Sequence, residues 1–127
     1  MEKNEALENL YDRKRGIQLV VIDPQTNKVI LKESFDTFTS SERFDYILMN
    51  LLDNYIVAAA VHEEATQNLS LPAIGFFKEL GSLEIDILGL NETWAFIGVV
   101  GTIDFVEERK AAGEGTAAVT MTLPRPV

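Results

Sequence analysis

The most regular pattern in the chain is Phe44, Ile47, Leu48, Leu51 and Leu52, apolar positions at the i, i+3, i+4, i+7, i+8 spacing that keeps one face of an α-helix apolar. Thr39 and Glu42 stand ahead of it as a capping box, since hydroxyl and carboxylate together satisfy donors that the first helical turn leaves open. A helix is therefore predicted from residue 39 to an end at Asp53 and Asn54, its stripe packed on a sheet. Upstream, residues 16–22 and 28–35 read as the two strands of a hairpin. They are joined by Asp23-Pro24-Gln25-Thr26-Asn27, where proline presets a turn and asparagine tolerates left-handed backbone. Leu19-Val20-Val21-Ile22 is apolar at both alternating positions, which predicts a central strand covered on both sides.

Residues 55–61 form a continuous apolar run, a strand buried on both faces. A polar loop over 62–70 follows, then a helix opened by Pro72, with Ile74, Phe77 and Leu80 inward, and stopped by Gly81. Leu83, Ile85 and Ile87 alternate with Glu84 and Asp86, predicting a half-exposed strand over 83–88. Gly89 and Asn91 turn the chain into a strand over 94–100. Residues 104–115 read as a charged, then Ala/Gly-rich surface loop, and 117–123 as a last strand. The order β-β-α-β-α-β-β-β predicts a compact single α+β domain, mainly antiparallel twisted β-sheet with two covering α-helices.

Several blocks, in this order, resemble one known family. They are Arg15-Gly16-Ile17 with Val29-Ile30 and Ser34-Phe35-Asp36, Ile56-Val57 followed by Glu63-Glu64-Ala65-Thr66, and Phe77-Lys78-Glu79-Leu80-Gly81-Ser82. The run from Leu88-Gly89-Leu90-Asn91-Glu92-Thr93-Trp94 through Gly98 to Gly101 and a last strand from Val119 to Pro124 complete them. The chain is similar to the interleukin-like EMT inducer (ILEI), or PANDER-like, domain over residues 14–124. The resemblance implies the α+β fold and divides the chain into an N-terminal extension (1–13) and an ILEI-like domain (14–127).

Charge narrows the partners. A net charge of -9 repels phosphate backbones and anionic lipid, so nucleic acid is not an expected partner. The local exception, Arg13-Lys14-Arg15, reads as a solvated strand entry. The longest apolar run, 55–61, falls far short of the ~20 residues of a membrane helix, so no membrane insertion is expected. The first residues carry no apolar signal core, which predicts synthesis in the cytoplasm without a signal peptide. There is no cysteine, whereas the animal members of the family are secreted and disulfide-linked. The expected source is thus a bacterial or bacteriophage version.

Catalytic chemistry is sparse. The only histidine, His62, lacks the second histidine of a zinc-protease helix and reads as a loop residue. Glu84 and Asp86 read as solvated edge decoration rather than a catalytic pair. Asp104, Glu107 and Glu108 read as a charged face with, at most, weak calcium uptake. No glycine loop cradles phosphate, and neither enzyme activity nor cofactor nor metal is expected. Trp94 is expected in the core.

The resemblance supplies the candidate ligand site. In the ILEI-like stem domain of the enzyme that adds N-acetylglucosamine to O-mannose, the acidic loop after the central strand and the residues before the tryptophan line a sugar pocket. Carried over, the acid falls on Glu63, a basic residue on Asn91 and the neighbouring acid on Glu92. In the extension, Leu7, Leu10 and Tyr11 form an apolar stripe too short to fold alone. It needs a docking surface, either its own domain or a neighbouring subunit, and a domain complete from residue 14 favours the neighbour. The expected function is a non-catalytic recognition or adhesion module that binds carbohydrate as a subunit of a larger homo- or hetero-oligomeric assembly. The alternative is a structural protein of a bacteriophage virion, in tail, baseplate or head decoration, with no ligand of its own.

Overall fold

The computed structural model describes residues 16–36, 42–62, 69–88, 92–111 and 118–119. The elements run β1 (Gly16–Asp23), β2 (Lys28–Phe35), α1 (Glu42–Met49), β3 (Ile56–His62), α2 (Leu71–Glu79), a 3-10 turn (Ile85–Ile87), β4 (Thr93–Val99) and β5 (Glu107–Ala111). They form one five-stranded sheet in the order β2-β1-β3-β4-β5, antiparallel at every step. With two helices on the sheet this is the α+β architecture that the apolar pattern predicts.

The hairpin forms because Asn27 accepts a φ of 57° and its N–H donates to the Asp23 carbonyl at 2.7 Å. β1 lies between β2 and β3 and is buried from Gly16 to Val21, the two-sided cover expected of its double apolar alternation. One face of the sheet holds Ile17, Leu19, Val57, Val61, Trp94 and Phe96, which pack with Phe44 and Leu48 of α1 and Phe77 of α2. Phe77 is the hub, meeting both Trp94 at 5.2 Å and Phe96 at 5.4 Å edge-on, the geometry in which a ring edge meets a ring face. Trp94 is 1% exposed and is therefore a core residue, as expected, and not a surface platform.

The helix ends follow from local chemistry. Ser70 caps α2, its hydroxyl oxygen accepting from the Ala73 N–H at 3.1 Å while the hydroxyl donates to Asp45 of α1 at 2.7 Å. One side chain thus starts one helix and ties it to the other. Gly81, at φ 106°, turns the chain out of α2, in the left-handed region that favours glycine.

Three expectations are corrected. α1 stops at Met49 rather than running to Asp53, because the Asn50 side-chain amide donates to the Tyr46 carbonyl at 2.7 Å, the acceptor that the next helical N–H would have used. Leu52 consequently stands 62% exposed. Residues 83–88 are not a strand: Ile85–Ile87 is a 3-10 turn, with Ile85 and Leu88 buried and Leu83 and Ile87 exposed, a period of three instead of two. The expected loop over 104–115 contains β5. The capping threonine Thr39, the turn residues Gly89 and Asn91, and all but Ala118 and Val119 of the expected last strand lie outside the described residues, and those two carry no regular structure.

Candidate functional site

On the β5 flank the indole N–H of Trp94 is buried and needs an acceptor. It donates to Glu108 Oε2 of β5 at 2.8 Å. The same carboxylate accepts the Leu83 N–H on Oε1 at 2.8 Å and the Ser82 hydroxyl on Oε2. Ser82 in turn accepts the Ile85 N–H at 3.1 Å, capping the 3-10 turn. Glu108 is thus an internal acceptor that fastens β5, β4 and the chain after α2 together, a use far from the weak calcium site considered for it.

Two residues along β5 on the same face, Lys110 is paired with Trp94 in register. Its ammonium lies 3.6 Å from Glu84 and 3.5 Å from Glu92. Lys110 and Glu92 are 23% and 20% exposed, so the pair is partly desolvated and open on one side. Glu92 is the one residue of the expected sugar site that is described, while Glu63 and Asn91 lie outside the described residues, as do Leu7, Leu10 and Tyr11. Their described chain neighbours, His62 at the end of β3 and Glu92 just before β4, leave the sheet at the same end. Lys110 was missed from the sequence because it sits inside four consecutive charges with no apolar alternation. Glu84 and Asp86 are both ion-paired rather than merely solvated. Asp86 accepts a hydrogen bond from Lys78 at 3.0 Å, and that bond, with the cation's charge, holds its carboxyl below the usual aspartate range.

The opposite end of the sheet carries a pocket of about 890 Å³, set between the β1–β2 turn, the chain entering β3 and the β4–β5 connection. Its apolar wall includes Leu52, Tyr55 and Phe105, and its rim carries Asp23, Asp53, Asp104 and Glu107. Leu52 is 62% and Phe105 59% exposed, apolar surface left open to water. Among the described residues no cation pairs with any of these four carboxylates. Asp23 caps its own turn by accepting the Gln25 N–H at 2.8 Å, and Asp53 packs against Gly101. No three His, Cys, Asp or Glu among the described residues are placed to share a metal ion, so the rim is a field of separate charges rather than a chelate. The only sequence signal for this pocket was Phe105 stranded between acids.

Residues 15–102 match the family model described as interleukin-like EMT inducer. The chain is 37% identical over 90 residues to the cell migration-inducing and hyaluronan-binding protein of Homo sapiens, a match covering 68% of this chain and 7% of that protein. It is 37% identical over 93 residues to the cell surface hyaluronidase CEMIP2 of Homo sapiens, covering 70% and 7%. It is 28% identical over 88 residues to protein FAM3C of Danio rerio, covering 68% and 39%. The chain therefore spans much less than two thirds of these relatives. The family match ends at residue 102, so β5, with Glu108 and Lys110, lies beyond it, and so do Asp104, Phe105 and Glu107 of the pocket.

Proposed function

We propose, from the premise that this chain belongs to the interleukin-like EMT inducer family, that it is a non-catalytic recognition domain whose ligand is a carbohydrate. The ligand meets the end of the sheet where β3 ends and β4 begins. The observation that carries the reading is the Glu92–Lys110 pair at 3.5 Å, partly open to solvent at the entrance of β4. Sugars are held by closely spaced donors and acceptors, because neighbouring hydroxyls both give and take hydrogen bonds. An ammonium beside a carboxylate offers both within one hydroxyl spacing. By the resemblance Glu63 and Asn91 belong to the same site, and Lys110 brings from β5 the basic group that Asn91 does not supply. Two of the relatives carry hyaluronan in their names, which supports a glycan as the ligand class. With Glu84 and Glu92 both on Lys110, the cluster keeps a net negative charge, which favours a neutral sugar over a polyanion.

The reading is tested by titrating the protein calorimetrically with neutral mono- and disaccharides and with hyaluronan oligosaccharides. A neutral sugar should bind, and Glu92→Gln or Lys110→Met should weaken it about tenfold, the loss of roughly one charge-assisted hydrogen bond. Failure of every sugar to bind, or binding untouched by both substitutions, overturns the site. Shortening of hyaluronan during incubation, read by size-exclusion chromatography, overturns the non-catalytic assignment.

A further inference from the structure

We infer that the acid-rimmed pocket receives the N-terminal arm of a second copy of this chain, with Arg13-Lys14-Arg15 meeting the rim carboxylates and Tyr11 and Leu10 covering the apolar wall. This inference is independent of the glycan reading, which concerns the other end of the sheet. The pocket sets four carboxylates, none paired with a cation among the described residues, around Leu52 and Phe105, both more than half exposed. Like charges gathered at one mouth repel one another, and apolar surface beside them stays wetted, until a cationic and apolar segment covers both. The chain carries one segment of that composition. Three of its eleven Lys and Arg stand consecutively at 13–15, separated from Leu10 and Tyr11 by Asp12 alone.

Chain geometry decides between the same copy and another. The basic triad adjoins Gly16, the first residue of β1, and the pocket lies where β1 ends, at Asp23. Eight residues of strand separate those ends by about 23 Å. Residues 13–15 reach no more than about 10 Å from Gly16 even when fully extended, and an outstretched side chain does not close the gap. The triad therefore meets this pocket only in another molecule. The contact is heterologous, arm end onto turn end, and such contacts close into rings or propagate as filaments. Leu10, Tyr11, Arg13 and Lys14 of the arm and Asp104, Phe105 and Glu107 of the pocket lie beyond the family match at residues 15–102, whereas Arg15, Asp23, Leu52 and Asp53 lie within it, so the shared family segment carries only part of the contact.

The test is self-association of the full chain by sedimentation velocity across concentration and salt. Association should be concentration-dependent and should weaken as salt is raised from about 50 to 300 mM, because the rim charges are exposed and screened. Arg13→Glu/Lys14→Glu/Arg15→Glu in one variant, and Asp104→Lys/Glu107→Lys in another, should each weaken it by at least about tenfold. The two acids chosen are exposed, and their side chains form no ion pair among the described residues. The decisive arm mixes the two variants. The arm variant keeps the native pocket and the pocket variant keeps the native arm, so the mixture restores one arm–pocket contact and should form pairs where neither variant alone associates. A second readout uses a labelled peptide of residues 1–15, which should bind the wild-type chain and not the Asp104→Lys/Glu107→Lys variant. A chain monomeric at every concentration, association unchanged by arm reversal, or a mixture that stays monomeric overturns the inference.

Discussion

Glu107 and Glu108 are adjacent on one strand and live under opposite rules. Glu108 faces the helices, where it accepts from Trp94, Leu83 and Ser82, and Lys110 on the same face holds Glu84 and Glu92. Every charge there answers a group that the fold needs answered. Glu107 faces the other way, onto a rim shared with Asp23, Asp53 and Asp104, with which no cation among the described residues forms an ion pair. A fold satisfies charges that hold it together. Charges left without a cationic partner around an open apolar wall repel one another in the isolated chain, and they are the ones available to a partner.

The largest expected effect that sharpens this contrast is at Trp94. Trp94→Ala should cost about 3–5 kcal/mol in urea denaturation, through lost burial and a cavity among Phe77 and Phe96, while Phe105→Ala on the pocket wall should stay within about 0.5 kcal/mol. Equal losses at the two positions would break the comparison. Next, Glu108→Ala should cost about 1–3 kcal/mol, the range for leaving buried donors without an acceptor, whereas Glu107→Ala should be close to neutral. A double-mutant cycle with Trp94→Phe should show that part of the Glu108 loss is shared with the indole N–H. Smaller still, Asp104→Asn/Glu107→Gln should raise stability by a few tenths of a kcal/mol, more at low salt than at high, by relieving repulsion at the rim. The smallest effect belongs to Asp86. Its carboxyl titrates below the ordinary aspartate value because of Lys78, so the pair's contribution is present at neutral pH and lost as pH falls through that lowered range. In Lys78→Met the NMR titration midpoint should rise to the ordinary value, with no measurable change in melting temperature.

Much of this was legible where apolar residues carry the signal. The 16–35 hairpin, the Phe44–Leu48 stripe, the Pro72 helix start and the buried Trp94 strand all announce themselves by apolar spacing or by residues with narrow backbone preferences. The failures share one cause, polar atoms performing structural work. β5 escaped because its inner face is Glu108 and Lys110, whose role depends on an indole N–H fourteen residues away and on carboxylates of two other segments. The turn at Ile85–Ile87 escaped because three apolar residues cannot separate a period of two from a period of three, and the Ser82 hydroxyl that decides for the turn is itself held by Glu108. Of the candidate sugar site, Glu92 lies beside a cation contributed by a strand that the pattern did not reveal. The pocket needs three connections brought together in space, and no local spacing records that.

The strand order also bears on how the chain avoids sticking to itself in the wrong way. Ile56–His62, with its run of isoleucine, valine and alanine, has the composition of a segment prone to cross-β stacking. It is enclosed by β1 on one side and β4 on the other. The outer strands of the described sheet are the charged ones, β2 with Lys28, Lys32 and Glu33 and β5 with Glu107 to Lys110, and charge on an edge discourages uncontrolled strand addition. Glu108, by keeping β5 seated over the Trp94 strand, acts as a gatekeeper. Loosening that one carboxylate would bare the backbone of Trp94-Ala95-Phe96-Ile97 to uncontrolled strand addition.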